Sequence, residues 1–199
     1  MNLPNKLTVL RILLVPIMVI IPFLEIKGNW FEIPIEFWII DIIFIIASIT
    51  DKLDGSIARK RNLVTTFGKF LDPLADKILV LAAMVMLVEY SKIPAWIPII
   101  VLAREFIVSG YRLIAVEKGG QVIAANVWGK LKTVTQMIAI PLTFLDLNQF
   151  GAFLQGNLTG FWLVFNIITT TLMFVSVIAT VFSGWSYIKN GKDLLLSDK

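Results

Sequence analysis

Six long apolar runs occupy most of the chain, at residues 7–26, 35–59, 67–90, 93–117, 126–147 and 159–188. Each reaches the roughly 20 residues that an α-helix needs to cross the hydrocarbon core of a bilayer. The runs are separated by residues that break helices: Lys27-Gly28-Asn29 and Pro34 after the first, Gly119-Gly120 after the fourth, and the stretch 148–160 after the fifth. Pro16 and Pro22 predict a kink in the first run. That run is not read as a cleaved signal peptide, because Pro22-Phe23-Leu24-Glu25-Ile26-Lys27 follows it with no small-x-small cleavage pattern. The sixth run is long enough to tilt or to extend beyond the lipid. No internal repeat or low-complexity tract interrupts the series.

Composition agrees with a membrane chain: 57% of the 199 residues are hydrophobic and only 16% charged, against about half and a quarter in soluble domains. The chain has no cysteine and no histidine, which excludes disulfides, Cys/His zinc sites, Ser-His and Cys-His nucleophiles and any imidazole base. Chemistry is left to carboxylates, Lys, Arg, hydroxyls or a bound metal. The net charge of +4 is assigned to membrane topology and head groups rather than to nucleic acid. If the N-terminus is cytoplasmic, twelve of the 18 basic residues fall on that side and only Lys27 and Lys92 on the other. The positive-inside bias then puts both termini in the cytoplasm, with Trp30, Trp38 and Trp96 as interfacial anchors. The expected fold is all-α: one domain over residues 1–199, an integral bundle of six transmembrane helices in the cell membrane.

Against this background four aspartates stand out, because a charged residue at the centre of a span costs ~2.5–3.5 kcal/mol or more. Asp51 and Asp54 lie near the end of the second run, and Asp72 and Asp76 near the start of the third. Spacings of three and four stack each pair on one helical face. The short basic segment 59–66 turns the two runs into an antiparallel hairpin, so the four acids are expected to line one cavity. Unneutralised, they would repel and partly protonate; all-oxygen ligands favour hard divalent cations such as Mg²⁺, Mn²⁺ or Ca²⁺. Gly55, Ala58 and Gly68 leave room for a ligand or another backbone. The plainer reading pairs the acids with Lys52, Lys77, Arg59 or Lys69 as salt bridges at helix ends.

The segment from Asp51 to Asp76 fits the pattern D-x2-D-G-x2-A-R-x8-G-x3-D-x3-D at every fixed position, and in this it resembles the CDP-alcohol phosphotransferase family. The resemblance implies a six-helix, usually homodimeric membrane enzyme that moves a phosphoryl-linked group from a CDP-linked donor to an alcohol and releases CMP. It implies that Asp51, Asp54, Asp72 and Asp76 bind divalent metal, two ions with Mg²⁺ ahead of Mn²⁺, and that Asp76 is also the base for the acceptor hydroxyl. Gly55, Arg59 and Thr65 match positions that hold the donor, CDP-diacylglycerol. Asn5-Lys6-Leu7-Thr8 resembles the family's segment beneath the nucleotide, which adds Asn5 and Thr8 to the donor site, although Asn5 also reads as a helix cap.

The acceptor is read from elsewhere. Arg104 and Arg112 are eight residues apart, about 800° of helix, and so lie near one stripe of the fourth run. With Lys130 and Lys132 at the start of the fifth, they are candidates for a pocket that binds the acceptor's phosphate. The alternatives are an ion pair of Arg104 with Glu105 and a positive-inside role for the two lysines. A phosphorylated acceptor fits this charge better than choline or ethanolamine. The whole chain is similar to the branch of the family whose acceptor is sn-glycerol 3-phosphate, with inositol phosphate as the runner-up. The mechanism implied is a single displacement at the β-phosphorus with inversion. The rival from another class is a cation or proton transporter, since intramembrane acids also mark ion pathways. It is disfavoured because the four acids gather at one end of one hairpin and only Asp41 lies deeper. A catalytically dead scaffold is disfavoured by the intact acidic set.

Overall fold

A computed structural model describes residues 3–60, 66–117 and 127–196, except the side chains of 3, 4, 51–60, 66–70, 72, 116 and 190–196. The described chain is almost wholly helical, with one long α-helix in each of the six apolar runs: α1 (Leu3–Ile20), α2 (Ile35–Lys60), α3 (Thr66–Glu89), α4 (Trp96–Glu117), α5 (Val127–Leu145) and α6 (Gly160–Leu196). Among the described residues, Asn5–Leu24 and Gly160–Lys189 are long and apolar enough to cross a membrane. Other helices carry ionisable residues inside their apolar runs, among them Asp41, Arg104, Glu105 and Lys132. The 37 residues of α6 measure about 55 Å at 1.5 Å per residue, well beyond a ~30 Å hydrocarbon core.

The chain folds as two units, residues 1–93 with 141–149 and residues 94–140 with 150–199. In the first, α1 packs on α2 and α3. Its buried positions are Asn5, Thr8, Arg11, Val15 and Met18, a stripe at helical spacing that is polar in its first half and apolar in its second. The opposite face of α1 exposes Leu10, Leu13, Ile17 and Ile20, an apolar surface of the kind that calls for lipid or another protein. Phe37, Ile40, Phe44 and Ala47 of α2 and Ala75, Leu79 and Ala83 of α3 complete the core. Asp41 is also buried, and its Oδ1 makes no hydrogen bond among the described residues.

Two features depart from the expected boundaries. The first run does not stay α-helical to its end. Pro22 lies in a short 3₁₀ turn (Ile21–Leu24), and Glu25 closes that turn with a left-handed backbone, φ 45°. The breakers that follow form a small antiparallel hairpin rather than an open loop, β1 (Asn29–Trp30) and β2 (Ile33–Pro34), with Trp30 opposite Ile33. Its two turn residues, Phe31 at φ 51° and Glu32 at φ 66°, are both left-handed, as a two-residue type I′ turn demands. Neither is the Asn or Gly that such a turn prefers, which is why the sequence does not announce it. Gly28 carries φ 124°, and a Cβ there would come within 2.9 Å of Ile35 Cδ1. Trp38 donates its indole N–H to the Trp30 carbonyl at 3.1 Å, and the two rings lie 4.9 Å apart. Trp30 and Trp96 are exposed, as interfacial anchors require.

At the same end of the first unit, Lys92 is buried, donates to the Asp146 carbonyl and lies 5.1 Å from the Phe37 ring centroid. Burial lowers its pKa from the ordinary lysine value, and the Asp146 charge offsets part of that shift. In the second unit α4 packs on α6. The connection into α6 is tied down by Gly151 N–H on Thr170 Oγ1 and Phe153 N–H on Asn166 Oδ1, each at 3.0 Å. Asn166, Thr169, Met173, Ser176, Thr180, Ser183 and Tyr187 are all buried and follow one another at alternating steps of three and four. That step is the period of a helix–helix seam, and small polar residues on it let backbones approach closely.

Candidate active site

The acidic positions belong to the first unit. On α2, Asp51 and Asp54 are three residues apart, and on α3, Asp72 and Asp76 are four apart, so each pair occupies one helical face by register. Of the metal set, Asp76 alone has a described side chain. Those of Asp51, Asp54 and Asp72 lie outside the described residues, as do the donor candidates Gly55, Arg59 and Thr65. Asp76 keeps 39% of its side chain exposed, and its Oδ1 lies 2.5 Å from Nη1 of Arg11, which is completely buried. A charge-assisted contact of this length fixes the direction of the carboxylate while leaving it open to solvent.

Arg11, which the positive-inside pattern accounts for as a topology residue, instead lies buried against Asp76. The signal for that burial was nonetheless present. Asn5, Thr8 and Arg11 recur every third residue on a helix whose other polar residue is the exposed Lys6, and all three are buried, at 7%, 1% and 0% exposure. Both N-terminal donor candidates therefore lie on the same α1 stripe as the arginine that grips Asp76. Asn5 stands inside α1, at its third residue, so it is not an N-cap. Among the described residues no group of three or more acids gathers as a metal site; the solvent-open carboxylate of Asp76 is the described oxygen donor of a kind that suits a hard divalent cation.

The basic candidates belong to the second unit. Arg104 Nη1 and Lys132 Nζ both bond Oε1 of Glu105, each at 2.8 Å, with all three side chains mostly buried. The ion pair of Arg104 with Glu105, one of the two readings of that residue, is thus present. Two cations share one carboxylate oxygen. Arg104 also donates from Nη2 to Ser183 Oγ at 2.7 Å, and its Nε is buried without a hydrogen bond among the described residues. Arg112, which is exposed, donates from Nη2 to the Tyr187 hydroxyl at 3.1 Å. Lys130 is exposed at the start of α5, where Trp128 stacks on Phe182 of α6 with centroids 4.9 Å apart. The structure brings Arg104 and Lys132 together through Glu105 and brings Arg104 and Arg112 to one tyrosine, whereas Lys130 bonds none of them among the contacts described.

Comparison with known proteins decides what this arrangement belongs to. A model of the CDP-alcohol phosphatidyltransferase family matches residues 1–185. The chain is 46% identical to the CDP-diacylglycerol--glycerol-3-phosphate 3-phosphatidyltransferase of Bacillus subtilis, over 98% of this chain and 97% of that protein. It is 37% identical to the protein of the same name from Haemophilus influenzae, over 99% and 97%. It is 34% identical to a probable phosphatidylglycerophosphate synthase of Mycobacterium tuberculosis, over 94% of this chain and 80% of that one. The chain belongs to the CDP-alcohol phosphatidyltransferase family. The match takes in α1 to α5 and most of α6, so the acid hairpin and the basic helices both lie within the family's common region.

The Asp51–Asp76 segment lies within the region that the family model matches, whereas the contacts of Glu105 with Lys132, Ser183 with Arg104 and Tyr187 with Arg112 have no counterpart in the sequence pattern. Glu105 entered the reading only as a competing partner for Arg104. Ser183 and Tyr187 sit in the long sixth apolar run, and no local pattern links them to arginines 79 and 75 positions earlier.

Proposed function

We propose that this chain transfers the phosphatidyl group of CDP-diacylglycerol to sn-glycerol 3-phosphate, giving phosphatidylglycerophosphate and CMP. The observation that carries the reading is the 46% identity over 98% of the chain to a protein named for that reaction. The mostly buried cations Arg104 on α4 and Lys132 on α5 support a phosphorylated acceptor over a neutral amino alcohol.

In this reading Asp51, Asp54, Asp72 and Asp76 hold divalent metal, Mg²⁺ by preference and two ions by number. Bound metal would polarise the phosphorus and neutralise the departing CMP. Asp76, aimed by Arg11, accepts the proton of the acceptor hydroxyl as that oxygen attacks the β-phosphorus. Asn5, Thr8, Gly55, Arg59 and Thr65 hold the CDP moiety. Arg104, Arg112, Lys130 and Lys132 bind the phosphate of the acceptor, with Arg112 and Lys130 the more exposed of the four. The protein spans the cell membrane six times with both termini and the active site on the cytoplasmic side, and works as a homodimer.

The test uses purified full-length protein in detergent with CDP-diacylglycerol and Mg²⁺, following CMP release after separate addition of glycerol 3-phosphate, inositol 1-phosphate and serine. Release with glycerol 3-phosphate alone is expected. Release only with another alcohol overturns the acceptor, and no metal-dependent release with any of them overturns the enzyme.

A further inference from the structure

The last two described residues of the buried α6 seam meet the arginines of α4. Ser183 and Tyr187 are one helical turn apart and 0% and 2% exposed. Ser183 Oγ accepts from Arg104 Nη2 at 2.7 Å and the Tyr187 hydroxyl accepts from Arg112 Nη2 at 3.1 Å. The guanidinium carbons of Arg104 and Arg112 both lie 5.8 Å from the centroid of the same Tyr187 ring. Between the two contacts, Gly184 lets the stem of Arg104 lie directly on α6, since a Cβ there would sit 3.4 Å from Arg104 Cγ. Two like charges on one helix repel, and an aromatic ring beside both supplies a negative quadrupole that offsets the repulsion without consuming guanidinium N–H groups. The donors the ring leaves unused stay available for an anion, while the hydroxyl and the serine fix the planes of the two guanidiniums.

We propose that Tyr187 and Ser183 are positioning residues for acceptor binding: they hold Arg104 and Arg112 in the separation and orientation at which both engage one phosphate group. The proposal rests on the reading of those arginines as the acceptor-phosphate site. It gives α6 a role in acceptor affinity rather than in lipid contact alone.

The experiment compares the full-length wild type with Tyr187→Phe, Tyr187→Leu, Ser183→Ala and Arg112→Ala in detergent with CDP-diacylglycerol and Mg²⁺, measuring KM for each substrate. Tyr187→Phe keeps the ring and loses the hydroxyl, so KM for glycerol 3-phosphate rises about threefold. Tyr187→Leu loses both and raises it at least ~tenfold. Ser183→Ala falls near the phenylalanine variant. In all three, KM for CDP-diacylglycerol stays within about twofold of wild type, a split that a purely structural role would not produce. If Arg112→Ala raises KM for glycerol 3-phosphate while Tyr187→Phe and Ser183→Ala leave it unchanged, the positioning role is overturned and the acceptor site stands. If Arg112→Ala also leaves it unchanged, the acceptor site falls and the proposal with it. Equal effects on both substrates likewise overturn the proposal.

Discussion

The acid-bearing hairpin of the first unit and the arginine-bearing helices of the second differ in how each is written into the chain. The four aspartates come from one stretch of 26 residues, and their pairing follows from helical register alone. The cationic cluster is assembled from α4, α5 and α6, with Glu105 reaching 27 residues forward to Lys132 and Arg104 reaching 79 residues to Ser183. The balance of charge differs as well. In the first unit a buried arginine serves an open carboxylate, whereas in the second a single carboxylate serves two cations. Under the function proposed above this becomes a division of labour, with the reacting groups assigned to the first unit and affinity for the acceptor to the second.

The sharpest way to break this division is at the acids. Asp72→Asn and Asp76→Asn are each expected to lower CMP release by ~10³-fold or more, the scale on which removal of a reaction-centre charge is felt, while membrane insertion stays normal. Full activity in either variant would end the enzymatic account. Arg11→Met comes next. Breaking a buried pair by removing one partner costs up to about 3–5 kcal/mol, and the solvent contact that Asp76 retains reduces the penalty here to ~1–3 kcal/mol. The turnover number should fall about tenfold through loss of the Asp76 orientation, with KM for glycerol 3-phosphate little changed. Steady-state kinetics and thermal unfolding in detergent check both parts.

In the second unit the expected effects are smaller and fall on KM. Glu105→Gln removes the charge that ties Arg104 to Lys132, and KM for glycerol 3-phosphate is expected to rise about threefold to tenfold with the turnover number nearly constant. A fall in turnover at unchanged KM would mean that Glu105 belongs with the reacting groups.

The smallest effect is expected at Lys92, far in character from either site. Its pKa is lowered by burial, so the unfolded chain binds more protons than the folded one in the window just below the ordinary lysine value of 10.5. Stability carried by this residue therefore rises with pH through that window. Lys92→Met should shift stability by no more than ~1 kcal/mol, abolish that rise and leave KM for both substrates unchanged. An unaltered pH profile in the variant would contradict the assignment.

How much of this was legible beforehand follows from the same contrast. Helix number, order and approximate bounds could be read from the apolar runs, because burial in lipid or in a helix seam needs little more than hydrophobicity at sufficient length. The acid positions could be placed two by two on the faces of two successive helices because they are close in sequence at helical spacing. The hairpin at 29–34 was not, since Phe31 and Glu32 adopt left-handed conformations that tertiary context imposes and side-chain chemistry does not favour. Arg11 was hidden by a sufficient explanation of another kind, the charge bias of membrane topology. Ser183 and Tyr187 were hidden because a seam of Ser, Thr and Asn along a long apolar helix looks like helix packing until these two residues are seen against the arginines of α4.

The most direct test of the division of labour is equilibrium binding of glycerol 3-phosphate, by calorimetry in detergent with Mg²⁺, to the wild type, Asp76→Asn and Arg112→Ala. The account predicts that Asp76→Asn binds within about threefold of wild type although it no longer turns over, and that Arg112→Ala binds at least ~tenfold more weakly. Wild-type affinity in Arg112→Ala, together with loss of binding in Asp76→Asn, would contradict it.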